Sequence, residues 1–531
     1  MARRLRRPAT LPPASAELSL RRRYLVLGIC CSSLFLVGLD NTILNVALPA
    51  LQRDLHASVA GLQWTIDAYV VVLASLLMLS GSMGDRFGRR RVFRTGLVLF
   101  SAGSLLCSVA PSLGWLIGFR ALQAVGGSML NPVAVSIITN TFTEPRERAR
   151  AIGVWGAIIG LSLAAGPVLG GLLVDQASWR AIFWINVPVG LAAFVLTRLY
   201  VPESRAARAR RFDPVGQVLL ALTFGALVYA LIEAPAAGWV SAQTLGTLAA
   251  VAVGLAAFAG WSLRRADPVL DLRFFRSPPF SGATLIAVSA FVALGGFLFL
   301  NTLYLQDVRG FSALHAGLFT LPMAAVTAVA APVSGRLVGA YGPRPSLLIS
   351  GPCMAVSGAL LTVLGPDTGT ALLFVAYALF GLGFGMVNAP ITTTAVAGLP
   401  NSQAGVAAAV ASTSRQLGQA LGVAVIGSIA ASKGLGGTRV DPTDPAGWWI
   451  IAGCGAAVAL LGLLTTGRWA LARAQQAAAA MATAPSSTAP SSTAAIPASS
   501  APAATAAVPT TAVPTAAVPT TAVPTAPTPS R

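Results

Sequence analysis

Fourteen stretches of mostly apolar residues follow one another through this chain. They lie near 24–50, 62–83, 93–111, 114–138, 150–174, 181–201, 215–234, 241–262, 281–305, 314–339, 345–365, 371–396, 405–430 and 447–467. A helix needs roughly 20 such residues to cross the hydrocarbon core of a bilayer. Lipid offers no partner to a bare backbone amide, so a single stretch of this length is expected to cross as a helix. The expected fold class is therefore an all-α membrane protein with 14 transmembrane helices. Charge agrees: only 10% of the residues are charged, against about 25% in an ordinary soluble domain.

The formal net charge of +19 does not require a nucleic-acid partner, because it is distributed topologically. With the N-terminus inside, 29 of the 36 basic residues fall in cytoplasmic loops and tails. Five fall in outer loops (Arg53, Arg180, Arg309, Lys433, Arg439), and two, Arg120 and Arg415, lie inside spans. This is the positive-inside pattern. It predicts a multi-pass protein of the cytoplasmic membrane with both termini cytoplasmic, since an even number of spans returns the chain to the side it left. The five cysteines all fall in apolar stretches and read as small core residues.

The loop after the second stretch reads GSMGDRFGRRR from Gly81, and the loop after the tenth reads PVSGRLVGAYGPRP. Laying Gly81 on Gly335 places Phe87 on Tyr341, Gly88 on Gly342 and Arg90 on Arg344. Gly339 and Ala340 stand where Asp85 and Arg86 do. The match recurs after two spans in each half, on the same predicted side. A duplicated bundle around a central site is a known transporter plan. The expected organisation is a basic cytoplasmic arm (1–23), a six-helix bundle (24–201), two extra spans with their loops (202–280), a second six-helix bundle (281–467) and an Ala/Pro/Thr-rich disordered tail (468–531). The tail is either dispensable or an interaction segment.

Of the seventeen acidic residues, Asp40 alone is placed deep in a predicted span. Insertion scales charge about 2.5–3.5 kcal/mol for an Asp at a helix centre. Burial disfavours the charged form of a carboxyl in general, which suits a group that exchanges protons. Asp40 reads either as a proton-coupling or cation-binding carboxylate, or as one partner of a structural contact between helices. Arg120, at similar depth, is the candidate partner; it stays protonated and would act by holding and releasing the carboxylate. In the loop motif, Gly84 and Gly88 permit tight backbone approach, and Asp85 is placed to accept hydrogen bonds or pair with an arginine. With Arg86 and Arg90 these form a candidate cytoplasmic gate, although the arginines also fix topology. The fifth stretch carries small residues at helical spacing, including Gly166, Gly170 and Gly171, with Pro167 among them. Such a face packs helices closely and proline allows a bend. Candidate cavity residues are Asn41, Asn45, Gln63, Asp67, Tyr69, Gln123, Asn131, Gln306, Asn388, Arg415 and Gln416. Asp67 lies near the outer end of its span, and Arg415 has no evident partner.

Together these segments resemble the major facilitator superfamily, and within it the fourteen-span drug:proton antiporters. GSMGDRFGRRR is similar to that superfamily's loop motif. LDNTILNVALP (Leu39–Pro49) is similar to the first-span motif of the fourteen-span exporters, and GPVLGG (Gly166–Gly171) to the core of the fifth-span motif of antiporters. RALQAVGGS resembles the fourth-span motif with Arg120 and Gln123 in place; Ala124 and Ser162 replace usual glycines. The resemblance implies a major-facilitator fold whose two bundles carry two extra spans between them. It implies an exporter of drug-like compounds driven by the proton gradient, with Asp40 and Arg120 coupling to protons and the Gly166–Gly171 motif controlling the conformational change. No cofactor and no metal is implied. The expected partners are a small-molecule substrate, protons and the lipid bilayer, with the chain a monomer.

Proton-coupled uptake of a small metabolite on the same fold is the alternative. A membrane-embedded enzyme is disfavoured: the two histidines, His56 and His315, lie far apart, and there is no HExxH, Walker loop or GxSxG.

Overall fold

The computed structural model describes residues 19–206, 213–265, 268–397, 399, 403–432, 441–467, 469, 470, 472–474 and 476. The arm before residue 19, the tail beyond 476, Lys433 and Arg439 lie outside the described residues. All fourteen expected segments carry helix. In chain order the helices are α1 (Leu20–Leu55), α2 (Val59–Phe87), α3 (Arg89–Ser108), α4 (Leu113–Thr141), α5 (Pro145–Gln176), α6 (Ala181–Trp184), α7 (Asn186–Tyr200), α8 (Pro214–Ala237) and α9 (Ala242–Arg264). There follow α10 (Pro278–Leu303), α11 (Ala313–Phe319), α12 (Leu321–Tyr341), α13 (Pro343–Leu360), α14 (Thr370–Ala397), α15 (Ala404–Ser432) and α16 (Pro445–Thr465).

Two expected spans are interrupted: the sixth at Ile185, between α6 and α7, and the tenth at Thr320, between α11 and α12. The ninth continues from α10 into a π-turn, Tyr304–Val308. Among the described residues, 12 helical stretches are long and apolar enough to cross a membrane. The two that fall short by composition are α3, which opens on three arginines, and α15, which carries Arg415, Gln416 and Gln419 mid-helix. Both are long helices packed within the bundle, so the arrangement is compatible with fourteen spans.

Short connections force sequential helices to run antiparallel, which gives the bundle two ends. One end holds the loops at Gly88 and Gly342. Gly88 (φ 109°) closes α2 and opens α3; Gly342 (φ 81°) closes α12 and opens α13. Both torsions belong to glycine, so the internal repeat is written in backbone conformation as well as in letters.

Helices α8 and α9 pack on each other, and α8 also lies against α2 and α15. Trp64 donates its indole N–H to Glu233 at 2.9 Å, and the Gln217 side chain donates to the Ser75 carbonyl. The inserted hairpin therefore sits at the seam between the halves.

Candidate functional site

The site begins with α1. Asp40 lies midway along it, 1% exposed. Its Oδ2 accepts from Arg120 Nη1 at 2.6 Å. Its Oδ1 accepts from Gln123 Nε2 at 2.8 Å and from Asn186 Nδ2 at 3.2 Å. Arg120 and Gln123 stand one turn apart on α4, so both reach the same carboxylate. Arg120 also donates to Gln123 Oε1 (2.8 Å) and, through Nε, to the Thr65 carbonyl of α2 (3.2 Å). Its guanidinium lies 4.2 Å from the Tyr69 ring centre, a cation–π contact. Ser104 of α3 accepts from Gln123 (3.3 Å) and Asn186 (3.0 Å) and donates to the Phe183 carbonyl (2.9 Å). A buried ion pair is stable only when its remaining donors and acceptors are met; here Gln123 of α4, Asn186 of α7 and Thr65 of α2 supply direct partners.

Asn186 and Ser104 were absent from the expected site. Asn186 opens α7 beside the break at Ile185, and that break aims its amide at Asp40. The polar letter inside WRAIFWINVPVG was the available signal. Asp67 also departs from expectation. It does not line the cavity but is fully enclosed near the start of α2, because α2 is flanked by α4, α8 and α15. Neither of its carboxylate oxygens has a hydrogen-bond partner. Among the described residues Asp40 is thus one of two fully enclosed carboxyls within the long helices, with Asp67.

The glycine motif of α5 faces α1. A Cβ at Gly166 would collide with Thr42 Oγ1, and one at Gly170 would stand 2.8 Å from Ile43 Cγ1 and 2.9 Å from the Ile43 carbonyl. Thr42 Oγ1 donates within α1 to Leu39 O at 3.2 Å. These contacts fall one turn beyond Asp40. Gly171 faces the other half: a Cβ there would meet the backbone of Ala313 and Leu314. Pro167 does the same, its carbonyl closely approached by Gly317. One helix therefore touches both the stretch of α1 that carries Asp40, on a different face from the carboxylate, and the start of α11.

At the Gly88 end, Asp85 accepts from Arg89 at Nη2 (2.7 Å) and Nε (3.2 Å). Glu203, beyond α7, accepts from the Arg90 backbone N–H (3.1 Å) and pairs with Arg91 Nε (3.7 Å). Arg90 Nη1 donates to Val201 O (3.3 Å). Arg86 is exposed over Phe87. A Cβ at Gly84 would stand 3.1 Å from Val133 of α4. The gate residues thus tie the loop to the chain after α7, through a glutamate the motif does not contain.

A cavity of about 600 Å³ lies between the halves. Of the expected cavity residues, Asn41, Asn131, Asn388, Arg415 and Gln416 line it. Asn45, Gln63, Asp67, Tyr69, Gln123 and Gln306 stand elsewhere. Tyr69 and Gln123 belong to the Asp40 cluster. Asn45 Nδ2 donates to the Asn41 carbonyl (3.2 Å). Gln63 donates across the seam to Val423 O (2.9 Å) and Ala424 O (3.1 Å). Gln306 donates to Val46 O (2.9 Å). These last two join the halves at the end remote from Gly88. Asp175 acts there too, accepting from the backbone N–H groups of Ala313 (3.1 Å) and Leu314 (2.9 Å). The cavity extends the other way, to Asp85 and Asp213.

Residues 30–423 match the family described as Major Facilitator Superfamily. The chain belongs to the Major Facilitator Superfamily. It is a transporter-family protein, not a member of an enzyme class. Its relatives within the superfamily include the multidrug resistance protein Stp of Mycobacterium tuberculosis, 40% identical over 399 residues, 75% of this chain and 74% of that one. Another is the tetracenomycin C resistance and export protein of Streptomyces glaucescens, 40% identical over 403 residues, covering 75% of this chain and 74% of that one. The superfamily fold is shown again by a solved D-xylose-proton symporter, TM-score 0.60 at 16% identity over 83% of this chain and 97% of that one.

Proposed function

We propose that this protein exports drug-like or antibiotic compounds across the cytoplasmic membrane in exchange for protons. The observation that carries this is the buried Asp40–Arg120 pair, set one turn along α1 from the α5 glycine seam, beside an interhelical cavity. The resistance and export roles in the relatives' names support the direction. Both termini are taken as cytoplasmic, because the arginine-rich Gly88 end is then inside, and the cavity faces the cytoplasm in this state. The two bundles and the inserted hairpin act as the working parts. The proton gradient supplies the drive, and the chain works as a monomer.

In the proposed cycle a proton binds Asp40 and neutralises it, so the contact with Arg120 weakens. Arg120 then keeps only neutral partners, Gln123, Thr65 and Tyr69. The shift in α1 is passed to α5 at Gly166 and Gly170, and from α5 to α11 at Gly171. The test uses inside-out vesicles holding a proton gradient reported by a pH-sensitive dye, with a panel of amphipathic cations and aromatic antibiotics. Wild-type vesicles are expected to lose the gradient when a substrate is added, and Asp40→Asn vesicles at equal expression to retain it. Equal loss in both would remove Asp40 from the coupling step. No loss with any compound would count against antiport.

A further inference from the structure

Among the described residues the two arginines placed inside spans, Arg120 and Arg415, lie within helices of the bundle, and they are held in opposite ways. Arg120 has a carboxylate, an amide oxygen and a main-chain carbonyl. Arg415, mid-way along α15, has one neutral partner, Thr392 Oγ1 at 2.7 Å. A guanidinium carries five N–H donors. Among the described residues no carboxylate pairs with Arg415, and its Nε is buried with no acceptor. What remains accessible of it opens on the central cavity.

The carboxylates on the cavity wall do not balance it. Asp85 is held by Arg89. Asp213 caps α8 through Gly216 N–H (3.1 Å), accepts from Trp261 Nε1 (2.9 Å) and Val269 N–H (3.2 Å), and pairs with Arg265 (3.5 Å). The uncommitted charge on the wall is therefore positive. The apolar surface near it is aromatic: Phe291 and Phe384 line the cavity with ring centres 5.2 Å apart, edge to face. Phe291 packs at Gly418, one turn along α15 from Arg415. Asn388, one turn along α14 from Phe384 and one turn before Thr392, lines the same wall.

We infer that the cavity selects planar aromatic compounds bearing an ionised acidic group, a carboxylate or an acidic phenol, with Arg415 as the anchor. The inference rests on the cavity being the compound site of the proposed exporter. A half-buried cation without a counter-ion, held within the bundle, is costly in the membrane interior. An anionic ligand supplies the missing partner, whereas a lipophilic cation adds a second like charge.

The experiment compares two dyes on one xanthene scaffold, fluorescein (anionic) and rhodamine 123 (cationic). Binding is read by fluorescence anisotropy on the full chain in lipid nanodiscs, with empty nanodiscs subtracted. Wild type is expected to bind fluorescein at least about tenfold more tightly than rhodamine 123, the scale of one charge-assisted contact. Arg415→Gln is expected to remove that preference, Arg415→Lys to keep most of it, and Gln416→Glu, which adds a carboxylate to the same wall, to weaken fluorescein alone. Rhodamine bound as tightly as fluorescein by wild type, no binding of either dye, or a preference unchanged in Arg415→Gln would each overturn the inference. Binding needs no gradient, so loss of coupling in the vesicle assay and loss of selectivity here are separate results.

Discussion

At the scale of residues, the two buried carboxyls make opposite predictions. Asp40 accepts three side-chain donors, so Asp40→Asn leaves Arg120 buried without its counter-ion. Breaking a buried pair at one partner costs about 3–5 kcal/mol. Removing both partners, as in Asp40→Asn with Arg120→Gln, is expected to cost less than the sum of the single changes. Thermal unfolding in detergent across that double-mutant cycle checks it; simple additivity would mean that the pair contributes nothing as a pair. Asp67 has no partner to lose. Asp67→Asn is expected to leave the melting temperature unchanged or raise it, and a fall of several degrees would reveal a contact not seen here. The pairing of Asp40 with Arg120 was legible because depth along two helices can be counted from sequence. The contributions of Ser104 and Asn186 were not, since no spacing rule links residues on α3 and α7. Asp67 lies near one end of its helix as counted, but its enclosure was not legible, because counting residues from a helix start says nothing about which neighbours enclose that start.

At the scale of helices, the seam between α1 and α5 explains why the glycines of α5 are where they are. Gly166→Ala is expected to overpack against Thr42, at about 1–3 kcal/mol, and to abolish compound-driven proton movement in vesicles. Thr42→Ala removes the hydroxyl that the new methyl strikes, so the double variant should recover part of the activity. No recovery would mean that Gly166 serves something other than this contact. The small-residue face of α5 was readable as a packing face, but not its partners: Gly166 and Gly170 meet α1, while Gly171 meets the backbone of the first two residues of α11. The fourteen helical segments were legible because apolar length is a local property. The breaks at Ile185 and Thr320 and the π-turn at Tyr304–Val308 were not, because those interruptions are set by what packs beside them.

At the scale of the molecule, the halves are joined at one end and parted at the other. Gln63, Gln306 and Asp175 carry the junction. A net hydrogen bond is worth roughly 0.5–1.5 kcal/mol, so Gln63→Ala combined with Gln306→Ala should shift the balance between the two faces by about tenfold. Spin labels placed at Ser178 and Ser312 on a cysteine-free background would report it as a growing long-distance population; an unchanged distribution would show that the junction is held elsewhere. The division into halves was legible from the repeated loop, and the shared torsions of Gly88 and Gly342 have the same origin. The central position of the inserted hairpin was readable only as an order along the chain. Its contacts with α2 include Trp64–Glu233 and Gln217–Ser75, pairs separated by well over a hundred residues.

The Asp175 junction is lopsided in a way that bears on how such a protein changes over generations. Asp175 contributes a side chain, but Ala313 and Leu314 contribute only main-chain amides. The donated N–H does not depend on the side chain at 313 or 314, and proline is the one letter that removes a donor; what limits those positions is packing, since Ala313 is buried. The junction is thus written in the main chain on one side and in a single carboxylate on the other, so a substitution at Asp175 removes both hydrogen bonds at once.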